Sequence, residues 1–218
     1  MRSERRYKFD ASGQCPLTLL EQIQLTTLCE IAVRLDSRLA IPATSSNFSL
    51  RSTGRGFFVS RSGKHKRMLN PSDFLLVNQN GQAKAPIAPK ASDETLLHAL
   101  IYRHCPDVNV VLHCHAPELE KASPPGVQFD GHELLKALGV QDHKTALNVP
   151  VYPNSQDMTA LAKKIEQKQF ASESVRNGPV LFILGQHGIY CGWNTLDRSE
   201  AALEAVLHLL KYSNWKTA

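Results

Sequence analysis

The sequence contains no apolar run approaching the roughly 20 residues needed to cross a bilayer. Its start, MRSERRYKFDASG, lacks the apolar stretch of a secretory signal. These absences exclude a membrane as partner and lead to the expectation of a soluble, cytoplasmic protein. Cysteine is sparse, with five residues, Cys15, Cys29, Cys105, Cys114 and Cys191, at unrelated spacings. An odd set without repeated spacing offers no disulfide framework and fits a reducing compartment. Repeats, low-complexity tracts and Pro-rich linkers are missing too, so residues 1–218 are expected to form one domain.

A basic stripe and a nucleic-acid reader motif are also absent, although 25 Lys and Arg outnumber 20 Asp and Glu and leave a net charge of +5. The basic residues cluster only at Arg2, Arg5, Arg6 and Lys8 and in one loop at Arg61, Lys64, Lys66 and Arg67, and read mostly as solvated faces. Nucleic acid is therefore excluded as a partner, while a small phosphorylated substrate suits the charge.

What is present alternates between two periodicities. Residues 17–37 carry Leu17, Leu20, Ile23, Leu28, Ile31 and Leu35 at mostly helical spacing. The runs ATSSNFSLR, GFFVSRSGKHKRM and DFLLVNQNGQ read as strands joined by turns, with Asn80-Gly81 as a hairpin signal. SDETLLHALIYRH predicts a helix with Ser92 as N-cap, acidic residues in its first turn, and Pro106 as its stop. NVVLHCH and ALNVPVY read as strands, GHELLKALG as a short helix ended by Gly139, and residues around 157–168 as another helix. PVLFILGQHGIYCGW gives two strands broken at Gly185 and Gly188, and 195–212 a closing amphipathic helix. The expected class is α/β of the α+β type, a largely antiparallel central sheet flanked by helices.

His113 and His115 end the NVVLHC strand. Alternation along a strand points both imidazoles to one face, about 7 Å apart between Cα atoms. Such a pair can converge on a metal ion or be satisfied by hydrogen bonds. A catalytic zinc commonly takes three protein ligands and keeps an open position, so a third is needed. His187 is the best candidate, because Gly185 and Gly188 flank it at a strand break. His98 and His208 fall in amphipathic helices and His65 in the basic loop, while His104, His132 and His143 have no partner at ligand spacing. Cys114 points to the opposite face of the strand and reads as a small buried residue.

Four blocks in order, PATSSNFSLR, VSRSGKHKRMLNPSDFLLVN, PKASDETLLHALIYRHCPDVNVVLHCH and FILGQHGIYCGW, resemble the class II aldolase and adducin-head superfamily. Within it, they are most similar to the methylthioribulose-1-phosphate dehydratases of methionine salvage. The resemblance implies a class II aldolase-like fold, a homotetramer with active sites near subunit interfaces, and one Zn²⁺ per subunit held by His113, His115 and His187. It also implies phosphate recognition by Thr44, Ser46, Asn47, Ser62, Gly63 and Ser92. Backbone amides and short hydroxyls can encircle phosphate oxygens, and helix N-termini favour anions. The family commonly has Gly where this chain has Ser46.

Two glutamates are implied by the resemblance as catalytic residues. Glu94 occupies the acid/base position of the sugar-phosphate aldolases, and Glu133 that of the dehydratases. Glu133 is the expected base, with Glu94 assisting binding or proton transfer. The implied reaction is loss of water from 5-methylthioribulose 1-phosphate. Fold and ligands alone do not separate it from a class II aldolase or epimerase acting on another ketose phosphate. A non-catalytic adducin-head-like scaffold is the less favoured alternative, because the resemblance implies that such members lose the histidine set retained here.

Overall fold

The computed structural model describes residues 16–38, 40–84, 91–142, 144–171, 177–213 and 215–217. Helix α1 (Leu19–Ser37) starts at Thr18, whose hydroxyl accepts from the Glu21 amide while the Glu21 carboxylate accepts from the Thr18 amide. This reciprocal cap satisfies two of the amides that a helix start leaves unpaired. The inward face is Leu25, Leu28, Cys29, Ile31, Ala32 and Leu35. Leu20 and Ile23, expected on that face, are instead 63% and 55% exposed. In the first turn the inward position belongs to Glu21, which accepts from the Ser52 hydroxyl and pairs with Arg55.

Strands β1 (Asn47–Ser52), β2 (Gly56–Ser60) and β3 (Phe74–Val77) pair in succession, all antiparallel. Beyond β3 the Asn80-Gly81 turn forms, with Gly81 at φ 79°, but the chain returns through the single bridge Val77–Ala83. Helix α2 (Thr95–His104) begins later than its sequence signal, with Glu94 at the cap position. Ser92 acts one turn earlier, its hydroxyl accepting from the Glu94 amide at 3.3 Å.

Strand β4 (Val110–Cys114) pairs with the free edge of β1. The order then runs through β8 (Gly188–Trp193), β7 (Val180–Gly185), β6 (Leu147–Pro153) and β5 (Gly126–Phe129) to the two-residue β9 (Lys216–Thr217), giving nine strands among the described residues. Among the described pairings only β6 with β7 is parallel, so the sheet is largely antiparallel as expected. GHELLKALG forms a 3₁₀ turn over Glu133–Leu138 rather than an α-helix, ended by Gly139 at φ 82°. Helices α3 (Met158–Gln169) and α4 (Leu196–Tyr212) match their amphipathic signals.

Side chains alternating along the strands divide the core in two. Leu112, Cys114, Ile183 and Ile189 face the layer containing α1 and α4. Val111, Phe182, Leu184 and Tyr190 face the layer of α2 and α3. Every buried apolar group removed from water contributes roughly 25 cal/mol per Å², and a sheet covered on both faces gains on each side. By the same alternation His113, between Leu112 and Cys114, points toward α2.

Candidate active site

Sheet register sets one row of side chains on the α2 face. Asn47 of β1 stands opposite His113 of β4, His113 opposite Tyr190 of β8, and Tyr190 opposite Phe182 of β7. The rings stack along this row, His113 on Tyr190 at 4.1 Å and Tyr190 on Phe182 at 4.8 Å between centroids. Behind the stack, His113 Nδ1–H donates to the Ile189 carbonyl at 3.0 Å. That bond selects the tautomer whose Nε2 carries a bare lone pair, the arrangement metal-bound histidines use.

His115, just past the strand end, is held by its amide donating to the Ala40 carbonyl. Its Nε2 lies 2.8 Å from His113 Nε2. His187 sits in the tight β7–β8 turn after Gln186, whose φ of 55° is in the left-handed region. Gly188 is required there because a Cβ would lie 2.5 Å from the Cys114 carbonyl and 2.6 Å from the His113 ring. Ligand atoms of Glu94, His113, His115 and His187 all lie within 4.8 Å of one another.

The chemistry of this donor set fits a divalent cation. Burial, and then the charges of His113 and His187, push the His115 imidazole down to about 3, so it is neutral. Ring nitrogens and a carboxylate thus converge on one point, where a cation satisfies lone pairs that would otherwise face each other.

Glu94 has both oxygens engaged. Oε1 accepts from His187 Nε2 at 2.5 Å and Oε2 from the Asn47 side-chain amide. Burial pushes its carboxyl up, but the hydrogen bonding and electrostatic influence of the neighbouring imidazoles outweigh that and hold it well below the usual carboxylate range. Behind Asn47 the chain of bonds continues. His98 Nε2–H donates to Asn47 Oδ1, the Ser49 hydroxyl donates to His98 Nδ1 at 2.7 Å, and the Tyr102 hydroxyl donates to Ser49 at 2.8 Å. The directions follow from Asn47 Oδ1 being an acceptor only and from His98 being neutral, its imidazole pushed down to about 3 chiefly by burial.

A cavity of about 200 Å³ opens beside Glu94 and His115. Thr44, Ser46, Asn47, Ser62, Gly63 and Ser92, the residues expected to contact phosphate, all line it. Ser46 has φ 71°, in the left-handed region that glycine adopts most easily, and its buried hydroxyl has no hydrogen-bond partner among the described residues. Lys66, Arg61 and Ser60 complete much of the remaining wall.

Glu133 does not line this cavity. Its side chain is 71% exposed and pairs with Lys136 at 2.5 Å. A larger cavity of about 540 Å³ lies between α1, α4 and the Glu133–Leu138 turn, with Leu35, Leu134, Ala205 and Leu207 in its wall. Of the other histidines, His104 pairs with Glu166, and His132 accepts from the Leu134 amide. His65 faces Asp36, His208 packs near Tyr212, and His143 lies outside the described residues. Sequence reasoning missed His98 and Lys66. For His98 a signal existed, because Glu94, His98 and Tyr102 recur every four residues and share one helix face. For Lys66 none did, since its burial depends on the folded loop.

Residues 26–213 match the family described as the class II aldolase and adducin N-terminal domain. A methylthioribulose-1-phosphate dehydratase from Methylococcus capsulatus is 37% identical over 186 residues, covering 84% of this chain and 88% of the relative. Another from Picosynechococcus sp. is 33% identical over 198 residues, covering 86% and 90%. Among solved structures, YgbL from Escherichia coli, a putative aldolase/epimerase/decarboxylase, superposes with TM-score 0.70 at 18% identity over 91% of this chain and 96% of its own. L-fuculose-1-phosphate aldolase from Thermus thermophilus gives TM-score 0.59 at 23% identity, covering 89% and 91%. At those identities the structures establish the fold, and the dehydratase relatives establish the kinship. The chain belongs to the class II aldolase and adducin N-terminal domain family.

Proposed function

We propose that the chain catalyses zinc-dependent dehydration of 5-methylthioribulose 1-phosphate to 2,3-diketo-5-methylthiopentyl 1-phosphate, a step of methionine salvage, as a cytoplasmic homotetramer of single-domain subunits. One observation carries this reading. A carboxylate and three imidazoles converge beside a hydroxyl-lined cavity, in a chain with dehydratase relatives at 33–37% identity.

His113, His115 and His187 would hold the cation, which when bound supplies Lewis acidity to the ketose carbonyl. The remaining work belongs to side chains. Thr44, Ser46, Asn47, Ser62, Gly63 and Ser92 would surround the phosphate and so fix the sugar carbons relative to Glu94. The base takes the proton from C3, and the electron pair passes toward C2. The pair then returns to expel the C4 hydroxyl, which leaves as water with a proton from the same acid. The resulting enol ketonises to the diketone.

Glu133 is proposed as that base and Glu94 as the residue assisting it. An exposed Glu133 outside its own chain's cavity is consistent with service at the cavity of a neighbouring copy, where the family resemblance puts active sites. Glu94, with both oxygens occupied and its acidity raised, suits orientation and proton relay better than abstraction of a carbon-bound proton.

Incubating zinc-loaded protein with 5-methylthioribulose 1-phosphate should release the diketone, detected by its absorbance. Absence of turnover across the pH range would sink the proposal. Release of a triose or glycolaldehyde phosphate would move it to aldolase chemistry. Mixing inactive H113A with inactive E133Q should restore partial activity if Glu133 acts across subunits.

A further inference from the structure

We propose that Lys66 is the cation that recognises the substrate phosphate, with the Ser46 hydroxyl as its neighbouring donor. The inference rests on the sugar-phosphate reading of the same cavity. It adds a specificity-determining charge that the motif resemblance did not supply.

Four cationic side chains, Arg61, Lys64, Lys66 and Arg67, belong to the loop after β2, and they differ in what neutralises them. Arg67 is largely exposed and faces Asp36 at 4.0 Å. Arg61 and Lys64 both pair with Asp73, at 3.3 and 2.5 Å. Lys66 does not. It is 1% exposed, and its ammonium donates only to two backbone carbonyls, Thr44 and Lys64, each at 2.9 Å. An ammonium has three N–H donors, so one remains uncommitted. No carboxylate among the described residues lies within ion-pair distance of it. Glu94 raises its affinity for a proton through space but is itself engaged by His187 and Asn47.

A buried charge lacking a counter-ion is costly unless a ligand completes it. Lys66 lines the cavity, and the same wall carries Ser46, whose buried hydroxyl also lacks a partner among the described residues. A buried cation and a buried unused hydroxyl, independently incomplete, face one small space walled by Ser62, Gly63 and Ser92. A phosphate monoester satisfies both, because its oxygens accept from hydroxyls and amides while its charge offsets the ammonium. A neutral sugar would leave the ammonium unpaired, so the device selects phosphorylated ketoses over their unphosphorylated forms.

The test uses inorganic phosphate as probe on the full, zinc-loaded chain, read by thermal shift and by titration. Phosphate should raise the melting temperature of the wild type. In K66M the apparent dissociation constant should rise about tenfold or more, the loss expected for one charge-assisted hydrogen bond. K66Q, which keeps donors for the two carbonyls but has no charge, should lose the response equally and stands in if K66M does not fold. S46A should weaken phosphate by a smaller factor. A phosphate response in K66M or K66Q equal to that of the wild type would overturn the assignment, and so would no response in the wild type. Lack of dehydratase turnover alongside a Lys66-dependent phosphate response would reject the proposed reaction while leaving this site standing.

Discussion

His98 and Asn47 share one hydrogen bond, from the imidazole Nε2–H to the amide oxygen, and it decides which end of the Asn47 side chain faces Glu94. With its oxygen committed to His98, Asn47 must present its NH₂ group to the carboxylate. The geometry around Glu94 is therefore fixed from inside the core, where His98 is fully buried.

Replacing His98 with Leu should strand the Asn47 oxygen and the Ser49 hydroxyl. An unsatisfied buried polar group costs about 1–3 kcal/mol, so a stability loss of that order is expected by chemical denaturation. H98Q restores a donor and should recover part of both stability and kcat. Equal behaviour of the Leu and Gln variants would show that the hydrogen bond is not what matters.

Gly188→Ala forces a methyl against the Cys114 carbonyl and the His113 ring. Overpacking of a tight site costs about 1–3 kcal/mol. Zinc affinity, measured by competition with a chromogenic chelator, should fall with stability. Retention of wild-type affinity would mean that the β7–β8 turn relaxes without moving either histidine.

Removing the metal should destabilise the fold. A ligand that binds only the native state stabilises it by about 3–4 kcal/mol at a hundred- to thousandfold excess over its dissociation constant. Chelation should lower the melting temperature reversibly, and zinc should restore it. An unchanged melting curve would argue against a cation among His113, His115 and His187.

Burial lowers the Lys66 ammonium from its ordinary 10.5 to about 8. Between those values the unfolded chain binds more protons than the folded one, so stability attributable to Lys66 rises with pH. Below about pH 8 both states are charged and the full penalty of the buried charge is present. The gain from pH 8 to 10.5 is about 3 kcal/mol by linkage. Denaturation of wild type and K66M at neutral and alkaline pH should show the wild type gaining on the variant. Parallel pH profiles would contradict it.

Much of the fold was legible because periodicity reports burial. The stretches of α3, α4, β4, β7 and β8 carry their patterns plainly, and His113 and His115 share a face for that reason. Leu20 and Ile23 misled because helical spacing does not say which turn meets the core, and Glu21 holds the inward place through Ser52 and Arg55. GHELLKALG has a helical pattern, yet six residues between a cap and Gly139 settle as a 3₁₀ turn.

The sequence by itself determined the candidate metal-ligand types, the strand carrying two of them, the glycine-flanked turn carrying the third, and the family. Tertiary structure decided that β1, β4 and β8 lie side by side, which brings Asn47, His113 and Tyr190 into one row. It also decided that Glu94 reaches the imidazoles while Glu133 stays exposed, and that Lys66 alone of its basic loop loses both solvent and counter-ion. Local spacing encodes which face a residue takes on its own element. Which faces meet, and which charges are left without water, depends on strand order across residues far apart in the chain.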